Sequence, residues 1–226
     1  MLFSIHCDHL KIQRGPCQLL INYHFQAPVT LLRGPTGTGK TLFLRTLAGL
    51  EKPVSGQLTI QGVPLCAEGL CVPAYRRDIA YAFQDYRLMP HLSVLENLRM
   101  TGASASVAQA QLAHYELAHL AGRLPQHLSG GEAQRVSLVR TLLQPAKTYL
   151  FDEPVSALDP ETRQRWLYWL RDFQEQRQVQ IIYVTHQDAE AQIWPEAETF
   201  SLDHFNRFTC DSDDAEHRGH DHSASR

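Results

Sequence analysis

The run Gly34-Pro35-Thr36-Gly37-Thr38-Gly39-Lys40-Thr41 constrains the fold of this chain more than any other feature. It fills the pattern G-x-x-x-x-G-K-[ST] completely and stands between an apolar stretch, residues 29–32, and a helix-like stretch, residues 42–50. Strand, glycine loop and helix in that order leave unsatisfied backbone N–H groups at one point. Glycines let those groups ring a polyphosphate, the Lys40 ammonium meets the outer phosphates, and the Thr41 hydroxyl can ligate Mg²⁺. A nucleoside-triphosphate site over residues 34–41 is expected.

Three further segments point to the same chemistry. Tyr149-Leu150-Phe151-Asp152-Glu153-Pro154 is a short apolar run ending in two carboxylates, the pattern of a buried parallel strand that delivers acids to its carboxyl edge. Asp152 suits a Mg²⁺ contact, and Glu153 suits a general base that polarises an attacking water. Leu128-Ser129-Gly130-Gly131-Glu132 opens an amphipathic helix over residues 133–143, with Ser129 as its N-cap. That is a second glycine-rich helix start, hence a second anion site, and one nucleotide does not need both.

The order of these segments resembles that of ATP-binding cassette ATPases. Residues 128–135 look like the signature motif, Gln84 in Phe83-Gln84-Asp85 resembles the Q-loop, Ser156-Ala157-Leu158-Asp159 the D-loop, and His186 after Val184-Thr185 the switch histidine. The resemblance implies a sandwich of two chains and two ATP molecules. Lys40, Thr41, Gln84 and Asp152 would hold ATP and Mg²⁺ in one chain, and Ser129, Gly130 and Gly131 of the other would cover the γ-phosphate. Glu153, His186 and Gln84 would act on hydrolysis. Two positions depart from the pattern: Leu42 stands where a second hydroxyl is usual, and residues 11–14 lack the aromatic on which the family stacks adenine, with Tyr23 falling late for that role. GTP is therefore expected to compete with ATP better than is usual for the family.

The resemblance also implies the architecture: an α/β chain with a P-loop NTPase (RecA-like) core, an antiparallel β patch and an inserted helical subdomain. Strand-like runs at residues 3–12, 19–25 and 56–60 would make the patch. The helical part is expected over residues 85–143, with helices at 94–100, 107–121 and 133–143, and the core over 1–84 and 144–202. The core resumes with a strand at 148–152, a helix at 160–176 and a β-rich run at 179–185, which argues a mainly parallel sheet. One ATPase domain, residues 1–210, is expected to precede a disordered acidic, histidine-rich tail, 211–226, whose His217, His220, Asp221 and His222 could bind a transition metal weakly.

Partner choice is expected in residues 85–100. Tyr86, Leu88, Met89 and His91 crowd apolar and aromatic character into a segment without a long helical period, and such residues suit a re-packing surface. The family receives a coupling helix of a membrane permease just there, and Pro90-His91-Leu92-Ser93-Val94-Leu95-Glu96-Asn97 resembles bacterial transporter ATPases. Only 44 residues separate Gln84 from Ser129, so the long coiled coils of repair ATPases are absent. The remaining alternative is a soluble cassette ATPase serving a cytosolic assembly partner of the cluster-assembly type.

Composition fits an ordinary globular protein. With 226 residues, 43% hydrophobic and 20% charged, the chain can bury one sizeable core, and a formal charge of -3 gives no basic surface for nucleic acid. No apolar stretch approaches a membrane span and no signal peptide is evident, which places the chain in the cytoplasm, peripheral on the inner face of the membrane. Five irregularly spaced cysteines point to free thiols rather than disulfides. Trp166, Trp169, Leu170 and Phe173 form a buried helical stripe, His24, His114, His119 and His127 are solvated, and Arg76-Arg77-Asp78 is a solvated charge cluster.

Overall fold

The computed structural model describes residues 3–67 and 70–202, the side chains of residues 188 and 189 excepted. Among the described residues there are two five-stranded sheets. The first is antiparallel and is built from β1 (Ile5–Arg14), β2 (Cys17–Phe25), β4 (Ser55–Ile60), β5 (Val63–Ala67) and β6 (Leu70–Cys71), in the order β2-β1-β4-β5-β6. The second is parallel and runs β10-β3-β9-β8-β7, from β3 (Val29–Arg33), β7 (Ile79–Ala82), β8 (Thr148–Asp152), β9 (Gln180–Val184) and β10 (Glu198–Ser201).

Strands β8 and β9 are buried at every position, so no polar alternation is possible and their apolar residues divide between two faces. Leu150, Ile182 and Val184 turn toward α1 (Lys40–Leu47) and the antiparallel sheet, where they meet Phe43, Leu44, Leu47, Ile5 and Ile21. Tyr149, Phe151, Ile181 and Tyr183 turn the other way. There they join residues of α2 (Val94–Arg99), α3 (Ala105–His114), α4 (Gly130–Leu142) and α5 (Pro160–Arg177), including Leu98, Leu112, Val136 and Trp166. The parallel sheet therefore lies between two apolar layers, and its carboxyl edge is the end left for chemistry. A short helix, α6 (Asp188–Ala191), precedes β10.

Several expectations change. The helix expected over 107–121 ends at His114, because Glu116 takes a left-handed φ of 60° and Leu117 turns back to donate to the Leu112 carbonyl. A 3-10 turn at Ala118–Leu120 follows. Cys66 and Cys71 are joined in a disulfide, not free: they lie directly opposite one another on β5 and β6, so pairing of those strands brings the thiols together. Cys7 and Cys17 are free. Arg77 is buried rather than solvated, since its guanidinium donates to the Thr46 and Leu47 carbonyls at the end of α1 and to Val72 O. Loss of water lowers its pKa to about 10. The stripe on α5 is as expected, with Trp166 and Leu170 buried and Trp169 and Phe173 packed against them, and His24, His114, His119 and His127 are exposed. The histidine-rich tail and Cys210 lie outside the described residues.

Candidate nucleotide site

The glycine loop leaves the carboxyl end of β3 and enters α1. Gly39 is the N-cap of α1 at φ 91°, and a Cβ there would stand 3.0 Å from Leu19 Cδ1 and 3.1 Å from Cys17 Sγ. Only glycine meets both conditions. Lys40 is 6% exposed and its Nζ donates to Gly34 O at 2.7 Å and Pro35 O at 2.8 Å, which folds Gly34, Pro35, Thr36, Gly37 and Thr38 around the ammonium. Thr38 Oγ1 closes the loop on Pro35 O at 2.9 Å. The N–H groups of the first helical turn open toward the same loop. Leu42 is buried in the core beneath it.

Two strands away, β8 delivers Asp152, 2% exposed, to the same edge. Thr41 Oγ1 donates to its Oδ1 at 3.2 Å and the Tyr81 hydroxyl to its Oδ2 at 3.0 Å. Burial raises the Asp152 pKa above the ordinary carboxylate value, with the two hydroxyls opposing the shift. Burial and then the Asp152 charge push the Tyr81 phenol up, so it stays a donor. Among the described residues no cluster of three His, Cys, Asp or Glu could hold a metal by itself. A hydroxyl and a carboxylate beside a phosphate loop are instead the hard oxygen donors that suit Mg²⁺, which takes few protein ligands and shares the phosphates.

Glu153 follows at a left-handed φ of 51°, which turns its side chain from the strand toward His186, just past β9. Glu153 Oε1 and His186 Nε2 are 3.0 Å apart. A cavity of about 350 Å³ brings Thr36, Gly37, Gly39, Lys40 and Thr41 together with Gln84, Glu153 and His186. Asp152 and Gln84 also line an adjoining cleft of about 290 Å³ with Thr41 and Tyr81. Ser129, Gly130 and Gly131 do not line either space. They form the N-terminus of α4, where Ser129 Oγ accepts from Glu132 N and Glu132 Oε2 accepts from Ser129 N at 2.8 Å. That backbone bond holds the Glu132 carboxyl below its usual pKa.

The roles of four neighbours escaped the sequence reading, although Gln134 and Arg14 lie inside segments that it singled out. Gln134 on α4 donates to Glu153 O and Ser156 Oγ and accepts from Ala157 N, tying the signature helix to the loop after β8. Tyr81 touches Asp152 from β7, and a phenol inside an apolar strand just before Gln84 was the available signal. Arg14, the last residue of the stretch 11–14 where the family stacks adenine, and Cys17 line the cavity from the β1–β2 turn, and nothing local marks Cys17. Tyr23 is elsewhere: it donates to Glu198, packs on Phe25 and Phe200, and lines a separate cleft.

Of the four expected partner residues, His91 is exposed while Tyr86, Leu88 and Met89 are half-buried, Leu88 against the core. Tyr86 and Arg87 are both left-handed, at φ 54° and 46°. Their carbonyls accept from Arg140 of α4 at 2.7 Å each. Beside this segment lies a groove of about 400 Å³ of mixed character, lined by Leu50, Tyr75, Ile79 and Phe83 together with Arg77 and Gln144.

A family model described as ABC transporter matches residues 23–156. The molybdenum import ATP-binding protein ModC of Methylococcus capsulatus is 40% identical over 167 residues, covering 72% of this chain and 47% of that protein. The arginine transport ATP-binding protein ArtP of Haemophilus influenzae is 36% identical over 206 residues, 84% of each. The chain thus spans about half the length of ModC and most of ArtP. The dimeric post-hydrolysis structure of the ATP-binding cassette MJ0796, bound to ADP and Pi, superposes with a TM-score of 0.73 at 25% identity, over 84% of this chain and 90% of that one. The family match spans more than half of the sequence and carries the phosphate loop, the signature helix and both carboxylates, so the chain belongs to the ABC transporter family.

Proposed function

We propose that this chain is the ATP-binding and hydrolysing subunit of a membrane transporter, closing as a dimer on ATP. The observation that carries the proposal is the single cavity in which the phosphate loop faces Gln84 and the Glu153–His186 pair. ATP is the substrate. Backbone N–H groups of residues 34–41 and the Lys40 ammonium bind its β- and γ-phosphates, Lys40 exchanging loop carbonyls for phosphate oxygens. Thr41, Gln84 and Asp152 would hold Mg²⁺, which when bound neutralises charge on the phosphates. Glu153 accepts a proton from the attacking water as its oxygen bonds to the γ-phosphorus and the bond to the β-phosphate oxygen breaks. His186, within hydrogen-bond distance of Glu153, orients that carboxylate and contacts the γ-phosphate. Ser129, Gly130 and Gly131 of the partner subunit close over the phosphates, which explains why they stand clear of the cavity in one chain.

The proposed division is a cassette domain over residues 1–210, with its core at 1–84 and 144–202 and the helical subdomain at 85–143. Among the described residues no helix is long and apolar enough to cross a membrane. The transport reading pairs the chain with a separate permease, and a peripheral position on the cytoplasmic face goes with that reading. Its docking surface is the segment with Tyr86, Leu88, Met89 and His91 together with the adjoining groove. The relatives are import and transport subunits, so a soluble assembly role draws no support from them.

Glu153→Gln keeps the shape of the side chain and removes the base. Turnover should fall by roughly 10²- to 10⁴-fold, and size-exclusion chromatography with ATP should show an accumulated dimer. A variant that stays monomeric and hydrolyses ATP at the parent rate would remove Glu153 from the role of base.

A further inference from the structure

Tyr81 borders two spaces at once. It lines the cleft shared by Thr41, Gln84 and Asp152, and its ring, packed on Phe83 with centroids 4.2 Å apart, also lines the groove beside residues 85–100. The strands explain its reach. Tyr81 on β7 is paired with Leu150 on β8, and Asp152 lies two residues beyond Leu150, on the same face of that strand. A phenol is long enough to span this diagonal, and its hydroxyl donates to Asp152 Oδ2 at 3.0 Å.

The two oxygens of Asp152 therefore have unlike partners. Thr41 is exposed and donates to Oδ1 at 3.2 Å. An aliphatic hydroxyl is donor and acceptor together, so it can turn its proton away and offer a lone pair to an arriving cation, releasing Oδ1 as it does so. Tyr81 is 8% exposed, and its hydroxyl stays where the packed ring puts it. It keeps Oδ2 occupied. The carboxylate is pinned against rotation and turns one oxygen, Oδ1, toward the phosphate loop.

We infer that Tyr81 is a positioning residue that limits Asp152 to a one-oxygen contact with the cation and thereby selects Mg²⁺ over Ca²⁺. This rests on the nucleotide reading above. Mg²⁺ demands near-octahedral geometry and uses few protein oxygens, whereas Ca²⁺ gathers about six to eight oxygens in flexible arrangements and accepts both oxygens of one carboxylate. A carboxylate free to rotate can offer both, which favours the larger ion. With Oδ2 tied to the phenol, Asp152 meets the demand of Mg²⁺ and leaves Ca²⁺ one ligand short. Tyr81 is not among the residues lining the phosphate cavity, so nucleotide without metal should be indifferent to its hydroxyl.

The test is equilibrium binding of the β,γ-imido analogue of ATP, which is not hydrolysed, to the full chain and to Tyr81→Phe, with Mg²⁺, with Ca²⁺ and with metal chelated. The variant keeps the ring and its packing on Phe83 and loses only the hydroxyl. Its affinity should fall about tenfold with Mg²⁺, hold level or rise with Ca²⁺, and match the parent when metal is chelated. The ratio of the Mg²⁺ to the Ca²⁺ affinity should therefore drop about tenfold or more. A ratio equal to the parent's, whether both affinities are unchanged or both are reduced, would overturn the inference and leave the nucleotide reading standing. So would a loss that persists without metal, which would place the effect in the nucleotide pocket. A parent chain that binds the analogue under none of the three conditions would instead remove the nucleotide reading itself.

Discussion

Asp152 sits nearly dry, with hydroxyls and, among the described residues, no formal cation bonded to its oxygens. Its raised pKa means that the folded state holds the proton more tightly than the unfolded chain. The sign follows from proton linkage: the folded state is penalised above the raised pKa, where the carboxylate is ionised, and the penalty fades as pH falls through that value toward the unfolded one. Asp152→Asn keeps one acceptor oxygen, turns the other into a donor that a neighbouring hydroxyl can accept from, and removes the charge. Urea denaturation at pH 7 should show the variant more stable by on the order of 1 kcal/mol, the gain should shrink on acidification, and activity should be lost. A variant less stable than the parent at pH 7 would mean that ionised Asp152 contributes favourably to the fold. This balance suits a residue proposed to meet a divalent cation only when substrate arrives, because the unfavourable term is relieved on binding.

At the scale of elements, α2 and α4 shape the proposed permease segment. Asn97 is fully buried and makes four bonds to that loop, accepting from Met89 N and donating to Met89 O, Leu92 O and Ser93 O. Asn97→Leu strands several of these groups without a partner, and stability should drop by about 2–4 kcal/mol in chemical denaturation. A loss below about 0.5 kcal/mol would show that water replaces the amide. What was legible here was local. Ser129 with Glu132 is a capping signal written within four residues, and the structure forms it as a full capping box. The end of α3 was not legible, because Glu116 takes the left-handed position that glycine usually marks. Arg77 was equally hidden: its partners, the Thr46 and Leu47 carbonyls, lie some thirty residues away and only tertiary folding introduces them. The same holds for the Cys66–Cys71 pairing, which depends on a two-residue strand too short to carry a pattern.

Across the whole molecule, the parallel core was legible from apolar runs, because buried strands leave continuous hydrophobic stretches, and the antiparallel patch from alternating strand-like runs read beside the family resemblance. The strand order, and the existence of β7 and β10, were not, since each is four residues long and gains its identity from its neighbours. Transport itself is a whole-molecule property, and its test belongs to the docking surface. Met89→Glu places a carboxylate in a half-buried apolar setting, where desolvation costs several kcal/mol by order of magnitude. Co-expression with a permease from a neighbouring reading frame should show co-purification with the parent and none with the variant, both folded by circular dichroism. Retained co-purification would put Met89 outside the interface. The position of β3 carries a further consequence. It lies between β9 and β10, so the strand from which the glycine loop springs, although among the first to leave the ribosome, finds both sheet neighbours only after residues 180–201 are made. Such distant pairings make folding slow. Nucleotide can therefore act as a folding ligand only at the last step, rewarding the finished molecule and giving nothing to a nascent or truncated one.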